Sequence, residues 1–203
     1  MAQVTADLVK QLRERTGAGM MDCKRALEES AGDIEKAIGL LRERGIAKAA
    51  KRAGRTTGQG VVEAYLHRTG EYPPQTGAMI ELNCESDFVA KGEDFRRLAR
   101  ELAMHVAAAA PRYVSREDVP PEVVDEEREL LRRKAQQEGA PAAVVEKRLE
   151  GQMQAFFKEI CLLDQPYIRD PKTQVRDLIA EAISKLQENI TVRRFARFTI
   201  KGD

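Results

Sequence analysis

Apolar residues recur at helical spacing between residue 5 and about residue 45, and they predict three short helices. Thr5 is expected to cap the first helix, and Asp33 to cap a third helix that closes at Gly45. The glycine-rich run Thr16-Gly17-Ala18-Gly19 ends the first helix, and Ala31-Gly32 breaks the chain again. We therefore predict a small three-helix module with a basic linker over residues 1–54.

Alternating apolar residues predict three strands. The first two, Val61 to His67 and Ala78 to Cys84, are joined by a turn-rich segment, and the third runs from Ile190 to Ile200. Their apolar positions are expected to face the core: Val62, Ala64, Leu66, Ala78, Ile80, Leu82, Cys84, Ile190, Val192, Ala196, Phe198 and Ile200. Three such strands suffice for a small antiparallel sheet.

Helical periodicity returns between and after these strands. It predicts helices from Asp94 to Ala110, over 121–138, over 142–163 and from Val175 to Leu186. Gly139-Ala140-Pro141 would separate the two middle helices into a helical hairpin, and Pro166 and Pro171 would bracket a loop. The fold class is therefore α+β: the three-helix module is followed, over residues 55–203, by a three-stranded antiparallel sheet packed with helices.

The near-neutral charge balance argues against nucleic acid as a partner held by overall charge. There are 34 basic and 33 acidic residues, so the net charge is +1 and a global electrostatic grip on nucleic acid is not implied. Lys48, Lys51, Arg52 and Arg55 cluster between residues 46 and 60 without interleaved aromatics. We interpret this stretch as a partly helical linker and expect no direct nucleic-acid partner; an RNA-binding patch is the alternative.

Cysteine and histidine positions argue against a metal site or a disulfide framework. Cys23, Cys84 and Cys161 are far apart and form no C-x-x-C pair, which favours reduced thiols in a cytosolic protein. His67 and His105 are too far apart in sequence to indicate a metal centre. The first ten residues lack the apolar run of a signal peptide, and no run is long enough to cross a bilayer. We expect a cytoplasmic protein with no membrane partner.

Motifs for covalent chemistry are missing from the sequence. There is no phosphate-binding glycine loop, no G-x-S-x-G and no plausible Cys/His pair. The acidic residues lie among basic ones on predicted helices, a pattern typical of solvated ion pairs. We expect no enzymatic activity, no cofactor and no metal, and a protein that acts on other macromolecules.

One connection combines residues suited to partner binding. Glu85 to Lys91 lies between the second strand and the helix that begins near Asp94. There Phe88 can supply buried area and Asp87 a directed charge to a groove on another protein. The alternative is that Phe88 covers the core of its own domain while Asp87 begins a turn.

Three segments resemble the elongation factor Ts family, the bacterial guanine-nucleotide exchange factors for elongation factor Tu. They are Thr16 to Lys24, Leu82 to Ala90 and Glu188 to Phe195. The family's Thr-Asp-Phe-Val appears here as Ser-Asp-Phe-Val, which keeps the hydroxyl. The similarity runs through nearly the whole chain in the expected order. The chain resembles the compact form of the family, without a duplicated core or a coiled-coil insertion.

The resemblance implies a mechanism and two sets of partner-binding residues. Ser86, Asp87, Phe88 and Val89 would enter the nucleotide-binding domain of elongation factor Tu·GDP and displace its magnesium ion. The N-terminal module would be ubiquitin-associated-like and would make a second contact through Arg13, Met20, Met21 and Lys24. We also expect at least one of the two methionines to fill the module's own core.

The missing second core half predicts a homodimer and a two-plus-two complex with elongation factor Tu. The sheet faces expected to pack together carry Glu63, Tyr65, Met79, Glu81, Arg193, Phe195 and Arg197. Alternatively, the helical hairpin covers this face within one chain. Two competing functions stay open: a ubiquitin-like-binding or chaperone-like adaptor that uses the N-terminal module, and a translation-associated RNA binder.

Overall fold

The computed structural model describes residues 4–138 and 142–200, apart from the side chains of residues 142–144. The described part is α+β, as predicted, and its sheet is antiparallel with the strand order β1-β2-β5. The helices are α1 (Ala6–Thr16), α2 (Met20–Glu29), α3 (Ile34–Arg52), α4 (Asp87–Lys91), α5 (Glu93–Ala109), α6 (Pro121–Gln137), α7 (Ala142–Ile160) and α8 (Val175–Leu186). The strands are β1 (Gln59–His67), β2 (Thr76–Cys84), β3 (Pro166–Tyr167), β4 (Asp170–Gln174) and β5 (Thr191–Thr199).

The chain divides into two compact units. The first unit comprises Met1–Glu63, Glu81–Arg100 and Asp177–Val192, and the second comprises Ala64–Ile80, Glu101–Arg176 and Arg193–Asp203. The predicted division into a three-helix module with its linker over residues 1–54 and a core domain over residues 55–203 stays a prediction.

Three helices begin the first unit, as the periodicity predicts. Thr5 caps α1 by accepting the Leu8 N–H at 3.3 Å, and Asp33 caps α3 by accepting the Lys36 N–H at 3.0 Å. Their buried core consists of Leu12, Cys23, Ala26, Leu27 and Ala37. Because three of these five side chains are small, this core buries little apolar area. The likeness to a ubiquitin-associated module stays a prediction.

Helix α3 continues past Gly45 to Arg52, so the predicted end at Gly45 is wrong. A Cβ at residue 45 would lie 3.6 Å from the Ser184 Cβ, and this glycine serves a close approach to α8 within the helix. Much of the predicted linker is therefore helical.

Three basic side chains of this stretch bind within the first unit. Lys48 contacts Asp22 at 2.8 Å, Arg52 contacts the Gln187 Oε1 at 2.7 Å, and Arg55 lies 3.5 Å from Glu85. Since their charges already meet partners, this arrangement does not favour the RNA-binding alternative.

The apolar positions of β2 are buried as predicted, whereas those of the two edge strands are not. Ala78, Ile80, Leu82 and Cys84 lie in the core. In β1 and β5, however, most residues predicted to face inward are exposed: Val62, Ala64, Leu66, Ala196 and Phe198, as is Ile200 just after β5. Val192 is half-buried, and only Ile190, just before β5, is buried as predicted. Alternation separates two faces of a strand but does not say which one the helices cover.

The covered side of β5 is shown by Arg197. Its Nε donates to the Ala107 carbonyl of α5 at 3.1 Å, within the second unit. The prediction that Arg197 lies on a free sheet face available for dimer formation is therefore wrong, because α5 covers that face at Arg197.

The second unit contains the predicted helical hairpin. Leu131 of α6 packs with Leu149 and Met153 of α7, and the predicted break at residues 139–141 lies outside the described residues. The predicted loop around Pro166 and Pro171 is wrong, because β3 and β4 form an antiparallel pair there. Within β4, the Thr173 hydroxyl donates to the Asp170 carboxylate at 2.5 Å.

His105 is a buried structural group in the second unit. Its Nδ1 accepts the Ile168 N–H at 3.3 Å, and its Nε2 lies 2.9 Å from the Gln165 Oε1. This pattern requires a neutral imidazole with its proton on Nε2, and burial lowers the pKa of His105. Nowhere in the described residues do three or more His, Cys, Asp or Glu side chains converge on a possible metal position.

Substitution of Gly17 tests whether the turn between α1 and α2 requires a glycine. It ends α1 at φ 66°, and its N–H donates to the Arg13 carbonyl at 2.7 Å. We expect Gly17→Ala to lower the free energy of unfolding by about 1–2 kcal/mol, because this left-handed conformation disfavours a Cβ.

Gly39→Ala is the matched control in denaturant unfolding. Gly39 lies inside α3 with open space around a Cβ, so alanine there should stabilise the protein by about 0.5–1 kcal/mol. Equal stability of the two variants would contradict the proposed role of Gly17.

Candidate functional site

The segment after β2 forms a short helix, α4, where the sequence indicated only a connection. Ser86 is its N-cap, and the Ser86 Oγ accepts the Val89 N–H at 3.3 Å. Gly92 ends it, and its N–H donates to the Val89 carbonyl at 2.9 Å. The sequence Asp87 to Lys91 is thus held as about one helical turn between two caps.

This turn divides its side chains between solvent and core. Phe88 is 84% exposed, and Asp87 and Lys91 are exposed beside it, whereas Val89 and Ala90 are buried. The alternative in which Phe88 covers its own domain's core therefore does not hold. Val89 anchors α4 from below, and its predicted role in binding a partner stays a prediction.

Asp87 carries a negative charge at the surface. The Lys91 Nζ lies 2.6 Å from its Oδ2, and this hydrogen bond holds the pKa of Asp87 below its usual range. The carboxylate is therefore ionised at neutral pH. Because both side chains are exposed, the pair can separate readily when a partner offers other contacts.

The N-terminal end of α4 is held by residues far away in sequence. Glu188 accepts hydrogen bonds from Glu85 and Ser86, and the Asn189 N–H donates to the Glu85 Oε1 at 2.6 Å. Sequence reasoning missed both residues as parts of the site. Their segment stands out only as one of the three that carry the family resemblance, and nothing in its pattern indicates that it meets Ser86.

The predicted residues of the N-terminal module are at the surface of the first unit. Met20 and Met21 are 58% and 64% exposed, and Arg13 and Lys24 are exposed as well. The expectation that one methionine fills the core is wrong, because both precede the inward stripe of α2, which begins at Cys23. Their role in binding a partner stays a prediction.

The cysteines do not offer reactive thiolates. Cys23, Cys84 and Cys161 are buried and free, and burial raises the pKa of both Cys84 and Cys161 to about 11. As for membranes, none of the described helices combines the length and the apolar character needed for a transbilayer span.

Comparison with known proteins adds the family. The family model described as "Elongation factor TS" matches residues 3–201. The elongation factor Ts of Carboxydothermus hydrogenoformans is 58% identical over 197 residues, which cover 97% of this chain and 89% of that protein. That of Caldanaerobacter subterraneus subsp. tengcongensis is 57% identical over 195 residues, or 96% of each chain. That of Acetivibrio thermocellus is 55% identical over 195 residues, or 96% of this chain and 89% of that protein.

Proposed function

Because this chain belongs to the elongation factor Ts family, we propose that it releases GDP from elongation factor Tu by inserting Asp87 and Phe88 and displacing the bound magnesium ion. Membership of the family makes it a nucleotide exchange factor for elongation factor Tu in translation elongation, without covalent catalysis. The observation that carries the magnesium proposal is the 84% exposure of Phe88 next to an ionised, exposed Asp87 on a turn capped at both ends.

The insertion of Asp87 and Phe88, called the wedge below, is effective because of the way in which GDP is held. Nucleotide phosphates are bound by backbone N–H groups at a helix N-terminus and by a magnesium ion, and a protein side chain cannot replace that much charge. A partner can instead separate the segments that position the magnesium ligands. Burying one Phe side chain contributes about 1.5–3 kcal/mol. That free energy corresponds to about a 10- to 100-fold change in a binding equilibrium constant.

The coupling between factor binding and nucleotide binding makes nucleotide exchange reversible. A factor that weakens nucleotide binding is itself released when nucleotide binds, because the coupling free energy is the same in both directions. The factor therefore speeds both the loss and the uptake of nucleotide. The ratio of GTP to GDP then sets the net direction.

The N-terminal module supplies a second contact in this proposal. Exposed Met20 and Met21 form an adaptable apolar surface, since methionine is flexible and polarizable. Arg13 and Lys24 add charges at its rim, where an exposed ion pair contributes about 0–1 kcal/mol. This contact would add to the limited energy that Phe88 alone can supply.

We also propose a homodimer that binds two copies of elongation factor Tu in the cytoplasm, where elongation takes place. In the second unit, an apolar groove is lined by exposed Leu66, Met79, Phe198 and Ile200. The solvated face of an antiparallel sheet is usually polar, so an apolar one favours a covering partner. A second copy presents the same apolar surface, and two sheets can pack face to face about 10 Å apart.

Phe88→Ala tests the wedge. In stopped-flow measurements with fluorescent GDP on elongation factor Tu, we expect this variant to stimulate GDP release about 10- to 100-fold less, since the buried area is lost. Leu130→Ala, which trims another exposed apolar side chain on α6, should behave as the original protein. Unchanged GDP release with Phe88→Ala would refute the wedge.

Phe198→Asp tests the homodimer. We expect the original protein to have a dimeric mass by light scattering at micromolar concentration, and the variant to be monomeric because a charge cannot be buried unpaired in an apolar interface. Leu130→Asp controls for an added surface charge. The proposed dimer is ruled out by a monomeric mass of the original protein.

A further inference from the structure

We propose that Glu188 is a positioning residue for nucleotide exchange: it fixes the start of α4 and thereby the direction in which Asp87 and Phe88 project. This inference rests on the proposed function, since it concerns the same wedge. It adds a residue that does not itself need to touch elongation factor Tu.

The Glu188 carboxylate accepts three hydrogen bonds. Its Oε2 accepts the N–H groups of Glu85 and Ser86 at 3.1 and 3.0 Å, and its Oε1 accepts the Ser86 hydroxyl at 2.5 Å. Such bonds to an ionised acceptor are stronger than neutral ones. Both oxygens are used, so the carboxylate holds the backbone and the capping side chain together.

The bond to the Ser86 hydroxyl also sets how Ser86 caps α4. A hydroxyl has a single proton, and here that proton goes to Glu188. A lone pair of the Ser86 Oγ is then free to accept the Val89 N–H, which is the N-cap bond of α4. Glu188 therefore fixes the rotamer of Ser86 as well as the position of its backbone.

The segment that carries Glu188 is itself held in place. Gln187 ends α8 in a left-handed conformation with φ 63°, and its Oε1 accepts from Arg52 at 2.7 Å. Asn189 is buried, and its Nδ2 donates to the Arg55 carbonyl at 2.9 Å. Because its own N–H also binds Glu85, the two segments hold each other through bonds in both directions.

This support matters because α4 has little stability of its own. It has five residues, fewer than an isolated helix needs in water. Phe88 is 84% exposed, so packing against the described residues does not fix its direction. The bonds at Ser86 and the buried Val89 are what keep the turn in one orientation before a partner arrives. Without the Glu188 bonds, that ordering would have to occur on binding and would oppose it.

The test compares Glu188→Gln and Glu188→Ala with Glu150→Gln, an exposed residue on α7. Glutamine keeps the shape of the side chain but replaces one accepting oxygen by a donor, so it should fold even if alanine does not. Amide hydrogen exchange at Glu85 and Ser86 reports the bonds directly, without any partner. Stopped-flow GDP release over a range of factor concentrations reports exchange.

We expect both Glu188 variants to exchange the Glu85 and Ser86 amides at least about tenfold faster, while the amides of α8 keep their protection. We expect the factor concentration for half-maximal GDP release to rise about tenfold, with the saturating rate changed less. Glu150→Gln should change neither. A purely structural role would lower protection throughout α8, and it would not single out these two amides.

Three outcomes overturn the inference: unchanged amide exchange at Glu85 and Ser86, loss of protection throughout α8, or faster exchange of the two amides with unchanged GDP release. Phe88→Ala, measured in parallel, separates this failure from failure of the proposed function. If Phe88→Ala slows GDP release and the Glu188 variants do not, the wedge stands and the positioning role falls. If Phe88→Ala has no effect, the proposed function itself falls.

Discussion

A helix of five residues cannot hold a direction without support, and the support here comes from the carboxylate of Glu188. Two backbone N–H groups and a serine hydroxyl converge on it just before α4, and Val89 is buried just after. These contacts allow Asp87 and Phe88 to stand in solvent on a fixed turn. An aromatic side chain contributes binding energy by becoming buried in a partner only if it is exposed in its own chain beforehand.

The helices and strands follow from the sequence because their periods are local properties. Which side of an edge strand meets the core is not local, and the sequence therefore misplaced Leu66 and Phe198. Glycine disfavours helices, so Gly45 alone predicts a helix end, whereas in the structure it allows close packing beside Ser184. The β3–β4 pair was not predicted because Pro166 and Pro171 lie in it, and proline usually indicates that a segment is not a strand.

The candidate site was only partly predictable. Family resemblance identified Ser86 to Val89, but it could not show that Phe88 is exposed while Val89 is buried. Met20 and Met21 resemble core residues in the sequence because they are apolar and lie at the start of a helix, but the buried residues of α2 begin later, at Cys23. Glu188 was missed because its contact with Ser86 spans 102 positions, a distance that no local pattern reports.

The central claim is that Phe88 acts by displacing magnesium. It is tested most directly by measuring GDP release from elongation factor Tu with the original protein and with Phe88→Ala, each in magnesium and in excess EDTA. Once EDTA has removed the ion, the wedge has little left to displace, so the difference between the two proteins should shrink at least about tenfold. An equal difference with and without magnesium would contradict the account.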